Sequence, residues 1–355
     1  MRMHHRFVFI AAAFLIAGVP ALVRAQQGNA RAEELAKKSA NAARAMAALR
    51  AHAARIQAPA VRAAVTAILD NPAPTFMARH PDAAARQTIR AALVAEGLLD
   101  AAVSVEQLFP PLADPTRAPL SFAAAPGGTP DKHHSYPGGL AEHSLFNVES
   151  ALGLARLYVK QYGVTRVDED ELIAAAILHD ALKAWCLQWS AEGEMTTQAV
   201  VAGTASHHPF IVAEAIHRKL PASLVVTLAS AHEPPTLDGA AKVVRFLRAG
   251  ALLAGADPVA LGLLKRDAAG AFTLAQPASF EAVINHLGDH DYVLTDPAGQ
   301  AVAAAVDRLL RADDPKASAS ELRWRRLAVE TRVPALRLYE ALVRGGDPAV
   351  RALLK

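Results

Sequence analysis

Apolar residues recur at three- and four-residue spacing along most of the chain, the pattern of helices that bury one stripe. From residue 137 the pattern predicts helices over 138–162, 169–186, 195–218, 221–232 and 239–255. Upstream, 27–56 reads as one helix rich in Ala, Glu, Lys and Arg. Residues 58–70 and 81–98 read as two amphipathic helices, with Pro81 at a helix start. The tail from 278 to 355 keeps the helical period, and Ser318 with Glu321 offers a capping box. No stretch of any length alternates with the period of two that a half-buried strand requires. Composition agrees: 52% of residues are apolar but only 5% aromatic, and alanine, the best helix former, dominates the apolar set. The expected fold class is all-α.

Punctuation divides the chain. Pro110, Pro111, Pro115, Pro119, Pro126, Gly127, Gly128 and Pro130 crowd into 109–130, which reads as a linker. It separates an N-terminal helical region, 27–108, from a helical domain over 131–260. A C-terminal helical region, 261–355, follows.

Residues 1–25 have a different character. Arg2 and Arg6 precede an apolar run from Phe7 to Val23 that contains Pro20, and Val23-Arg24-Ala25 offers small residues at a cleavage site. This is the layout of a secretory signal peptide, expected to send the protein to the periplasm or outside the cell. The alternative is an uncleaved membrane anchor, but the run falls short of the roughly 20 residues that a spanning helix needs. No later segment is apolar for long enough to span. Cleavage also changes the charge. The segment holds Arg2, Arg6 and Arg24 and no acid, so the 37 basic residues fall to 34, matching the 34 acidic ones. No basic run remains to argue for nucleic acid or a charged membrane surface. Cys186 is the only cysteine, so any metal site must use nitrogen and oxygen ligands.

Chemistry concentrates in histidine. Of 14 histidines, those at 133, 134, 143, 179, 207, 208, 217 and 232 fall within one hundred positions. Histidine is the commonest nitrogen ligand for divalent metals. His179 and Asp180 follow the apolar run Leu172-Ile-Ala-Ala-Ala-Ile-Leu178, which must be buried. A buried His-Asp pair is costly unless it is paired or metal-bound. Lys183 lies one turn on, where a cation beside a metal suits a phosphate. A structural Asp180–Lys183 ion pair is the plain alternative, but it leaves the surrounding histidines unexplained.

Ala176-Ile-Leu-His-Asp-Ala-Leu-Lys183 resembles the signature of the HD superfamily of metal-dependent phosphohydrolases. Lys132-His-His-Ser-Tyr-Pro-Gly-Gly-Leu-Ala-Glu-His-Ser144 is similar to the helix start in HD domains of some exoribonucleases and conjugative relaxases. Gly203-Thr-Ala-Ser-His-His208 and Ala229-Ser-Ala-His-Glu233 resemble two later family segments. The resemblance covers about 130–255 and implies an HD-type helical bundle flanked by the terminal helical regions. It implies metal ligands at His143, His179, Asp180, His207 or His208, and His232. Asp180 would bridge if there are two ions, Lys183 would steady the phosphate, and His134 would sit at the substrate mouth. The implied cofactor is one or two divalent ions of Mn, Fe, Zn, Ni or Co. The implied substrate is a phosphorylated small molecule or nucleotide, hydrolysed as a phosphomonoester or phosphodiester.

The chain departs from the family in two places. Ala231-His232 stands where two-metal members carry a His pair. In Val243-Val-Arg-Phe-Leu-Arg-Ala-Gly-Ala-Leu252, Gly250 stands where the family's last carboxylate ligand is expected. Asp257 lies two turns further on, and Gly288-Asp-His-Asp291 could also supply a carboxylate. The favoured expectation is a weakened site that Gly250→Asp would strengthen. A degenerate, non-catalytic binding or scaffolding module is the rival reading, and a helical structural protein with incidental histidines a third.

Export is directly testable. Mass spectrometry of protein from the native envelope fraction should give a mature N-terminus at Gln26, and intact Met1 in a soluble cytoplasmic pool would contradict it.

Overall fold

The computed structural model describes residues 18–130, 132–236 and 238–354. Helices α1 (Gly18–Lys37), α2 (Ala40–Arg55), α3 (Pro59–Asp70), α4 (Ala83–Ala95) and α5 (Val105–Leu108) form the N-terminal part. They are followed by α6 (Gly139–Tyr162), α7 (Glu169–Leu178), α8 (Lys183–Cys186), α9 (His207–His217), α10 (Ala222–Ala229) and α11 (Gly239–Leu253). The last four are α12 (Phe280–Gly288), α13 (Tyr292–Asp313), α14 (Ala319–Arg332) and α15 (Ala335–Leu354). Among the described residues the strands make two two-stranded antiparallel hairpins, β1–β2 (Val200–Val201, Thr204–Ala205) and β3–β4 (Leu264–Arg266, Phe272–Leu274). The protein is all-α, as its composition requires.

The apolar helix α7 lies at the centre. Every residue from Leu172 to Leu178 is buried, and α2, α3, α6, α10 and α12 pack around it. A helix apolar on all sides can be stable only when surrounded in this way. α9 packs on α11 beside this group. The core continues into the N-terminal helices through Leu49, Ile56, Phe76 and Leu93. The Pro- and Gly-rich segment 109–130 contributes Phe109, Leu120 and Phe122 to it. A separate small core, with Val302, Val306 and Leu338, joins α13, α14 and α15.

Several local expectations are corrected by polar side chains and turns. The helix expected over 27–56 breaks at Lys38–Ser39. There the Ser39 hydroxyl accepts from the Ala42 amide and donates to the Thr331 carbonyl at 2.6 Å, a buried cap that ties α2 to α14. Pro81 precedes the cap rather than starting the helix, because Asp82 accepts from the Ala85 amide. The helix expected over 169–186 ends at Leu178, so His179 caps it and Asp180 lies in a tight turn. The helix expected over 195–218 begins only at His207. The residues before it form β1–β2, turned at Ala202 and Gly203, both with positive φ. Ser318 caps α14, but Glu321 pairs with Arg325 instead of completing a capping box.

Residues 1–17, which hold most of the expected Phe7–Val23 apolar run, lie outside the described residues, and α1 runs through Ala25 and Gln26. Beyond that point α1 is docked: the Trp189 amide donates to Asn29 at 2.9 Å, and Asn29 donates to Gln188. No described helix is long and apolar enough to cross a membrane.

One buried acid joins the N-terminal part to the helical bundle. Glu214, on α9, is fully buried and accepts from the Thr75 hydroxyl, the Phe76 amide and Arg218. Glu214→Ala would leave these donors unpaired and is expected to cost about 3 kcal/mol, measurable by urea denaturation.

Candidate metal centre

Five chain segments bring donors to one point. His143 lies on the first turns of α6, whose entry turn requires glycine twice. Gly138 has φ of 97°, and a Cβ on Gly139 would meet the His134 carbonyl. His179 and Asp180 follow the C-terminus of α7, His207 opens α9, and His232 lies just beyond α10. Asp289 caps the C-terminus of α12. Gly288 lets α12 end against α6, since a Cβ there would lie within 3.4 Å of Asn147 and Ala151.

Asp180 is fully buried, and its two oxygens face different histidines. Oδ2 lies 3.1 Å from His143 Nε2 and 3.4 Å from His179 Nε2, and it also accepts from the Lys183 ammonium. Oδ1 lies 2.9 Å from His207 Nε2 and 3.5 Å from His232 Nε2. Asp289 Oδ1 lies 3.1 Å from His143 and 3.5 Å from His179, while its Oδ2 is 3.7 Å from His232. Among the described residues, four overlapping groups could each hold an ion: His143 with His179 and Asp180, His179 with His232 and Asp289, Asp180 with His207 and His232, and His133 with His143 and Asp291.

Fixed ring orientations bear on that possibility. The His207 Nδ1–H donates to Gln198 Oε1 at 2.7 Å, which leaves the Nε2 lone pair facing Asp180. Burial pushes the His207 pKa down to about 4 against the pull of Asp180, which favours the neutral ring with its one proton on the Gln198 side. His207 Nε2 and Asp180 Oδ1 are both buried without a hydrogen-bond partner. Two lone pairs at 2.9 Å in a buried site call for a cation. His179 is oriented likewise, its Nδ1–H donating to the Ala176 carbonyl at 3.0 Å.

The charge pattern of the ion-free centre is consistent with this. Burial opposes protonation of His179, but Asp180 and Asp289 outweigh it and raise the pKa to about 10. His143 is raised on the same grounds. Burial alone would raise both carboxylates. Instead Lys183 and His179 hold Asp180 well below the usual range, and His179 and His143 hold Asp289 there. Protons on imidazole balance the carboxylates where a metal would otherwise do so.

Two expected participants lie elsewhere. His208 donates its Nε2–H to the Leu228 carbonyl at 3.1 Å and backs the His232 ring, with centroids 4.4 Å apart. It is His207 of the pair that faces Asp180. His134 sits behind the mouth, between the Tyr136 hydroxyl and Asp291. The neighbouring His133 lines the cavity instead. That cavity, about 450 Å³, is bounded by the ligand cluster and by Lys183, His133, Glu233, His286, His290 and Tyr292.

The expected vacancy at Gly250 is also corrected. Gly250 is buried where α11 crosses α9, and a Cβ there would lie 2.3 Å from Val212 Cγ1. Its absence of a side chain serves helix packing. Asp257 accepts from the Val259 amide in a turn and takes no part in the cluster. Asp289, from a segment beyond the family-like stretch, stands with the histidines.

No protein-family model and no solved structure matches the chain. Over 136 residues it is 30% identical to the dihydroneopterin 2',3'-cyclic phosphate phosphodiesterase of Methanocaldococcus jannaschii. The match covers 38% of this chain and 46% of that protein, so the chain spans about half the length of the curated relative it matches.

Two substitutions separate the carboxylate candidates. Asp289→Ala should weaken Mn²⁺ binding by roughly 10–100-fold or more in calorimetric titration. Gly250→Asp should bring no gain in affinity and should lower the melting temperature, because α9 and α11 must part to admit it.

Proposed function

We propose that the protein is a metal-dependent phosphohydrolase of HD type, acting after export on a small phosphodiester or phosphomonoester. The observation that carries this reading is the division of Asp180 between two groups of histidine nitrogens, with the Nε2 lone pair of His207 facing it at 2.9 Å. Proposed ligands are His143, His179, Asp180 and Asp289 for one ion, with Asp180, His207 and His232 for a second. A divalent ion bound there would polarise a phosphoryl oxygen and bring a water molecule's pKa towards neutrality.

The chain's own groups have separate tasks. Lys183 donates to Asp180 and to the Gly127 carbonyl, which keeps the carboxylate ionised and its orientation fixed. Its ammonium also borders the cavity, where it would attract a phosphate. His133 and Tyr292, with rings 6.4 Å apart, flank the entrance and would orient the remainder of the substrate. A cavity of about 450 Å³ suits a small molecule better than a polymer groove. The partial relative's printed activity, on a 2',3'-cyclic phosphate, makes cyclic phosphodiesters the first substrates to try.

With Mn²⁺, the mature protein should hydrolyse bis(p-nitrophenyl) phosphate or a nucleoside 2',3'-cyclic phosphate. Chelation by EDTA should remove the activity, and Asp180→Asn should remove metal binding and turnover together. Tight metal binding without turnover of any phosphoester would favour the non-catalytic module instead.

A further inference from the structure

Asn147 lies one turn after His143 on α6 and is 2% exposed. Its amide nitrogen is 2.9 Å from Asp289 Oδ1, 3.1 Å from His143 Nε2 and 3.4 Å from His179 Nε2. Its carbonyl oxygen is buried with no hydrogen-bond partner. One end of the amide therefore sits among the donor atoms proposed for the first ion, and the other end is unsatisfied.

These spacings are informative. Ligand atoms at right angles around one ion, each about 2.1 Å from it, lie about 3 Å from one another. The amide head holds that spacing to three donor atoms at once. In the ion-free protein the N–H end occupies this place and donates to the Asp289 carboxylate, as a cation there would attract that oxygen. With a cation present, the N–H end would be repelled. A half-turn of the planar amide exchanges nitrogen for oxygen with little change of shape. The oxygen then meets the cation, and the chain needs no other movement.

We propose that Asn147 is a further ligand of the ion held by His143, His179, Asp180 and Asp289, binding through Oδ1, and that its N–H end holds the ion's place in the metal-free protein. The inference rests on the metal-centre reading. It brings the protein ligands of that ion to two imidazoles, two carboxylates and one amide oxygen. Such a set suits six-coordinate Mn²⁺ or Fe²⁺ with one position left for water or substrate, rather than tetrahedral Zn²⁺.

The test is calorimetric titration of Mn²⁺ and Zn²⁺ into the wild-type chain and into Asn147→Ala, Asn147→Ser and Asn147→Asp, with folding checked by circular dichroism. Asn147→Ala and Asn147→Ser should each lose roughly 10–100-fold in Mn²⁺ affinity and less in Zn²⁺ affinity. Asn147→Asp, which keeps an oxygen at that position, should bind Mn²⁺ at least as tightly as wild type. Unchanged or tighter Mn²⁺ binding by the two truncations would overturn the proposal and leave the amide only a place-holder. Weak binding by all three variants would also overturn it, by making Asn147 a donor that positions Asp289. A wild-type chain that binds neither metal would reject the centre itself, a separate outcome.

Discussion

A carboxylate cut off from water has to be neutralised by its neighbours, and Asp180 is fully buried. Everything around it follows from that demand. Lys183 supplies one positive charge from the next turn of the chain. In the ion-free state protonated His179 supplies another. His207 cannot contribute, because burial keeps it neutral and Gln198 holds its other nitrogen. The centre is satisfied on the Oδ2 side and unsatisfied on the Oδ1 side, and this asymmetry points to a cation more strongly than the number of histidines does.

Helix ends supply the geometry. His179 follows the last turn of α7, Asp289 the last turn of α12, and His232 lies just past α10. The C-terminal carbonyls of three helices therefore end at the cluster and favour a cation, while α6 and α9 begin there. Short turns fix the direction of each side chain. The β1–β2 hairpin delivers His207 to the start of α9, and the Gly138-Gly139 entry sets His143 on α6. Backbone carbonyls of Ala176 and Leu228 fix the rings of His179 and His208, so that the tautomers are set by the fold.

The same packing that builds the site excludes alternatives. Gly250 is occupied sterically by Val212, so α11 cannot offer a carboxylate without separating from α9. α12 offers one instead because Gly288 lets it close on α6. A carboxylate can thus enter the cluster from a different helix, while the distances that matter stay near 3 Å.

Much of this was legible in the residues themselves. Alanine-rich helical periodicity determined the all-α class. The fully apolar run before His179-Asp180 required that pair to be buried, and burial of two polar groups required partners. Lys183 at the next turn was readable for the same reason, whereas His143 at the head of its helix came only with the family resemblance. The break at Ser39 and the hairpin before His207 were not, because each depends on contacts that override local helix preference: the Thr331 carbonyl in one case and a left-handed turn at Ala202 in the other. Nor could the sequence choose His207 over His208, His133 over His134, or Asp289 over Asp257. Adjacent residues differ only by the direction in which the backbone aims them, and residues far apart become neighbours only when helices close. That information is absent from residue type and spacing, and it exists only once α6, α7, α9 and α12 pack against one another.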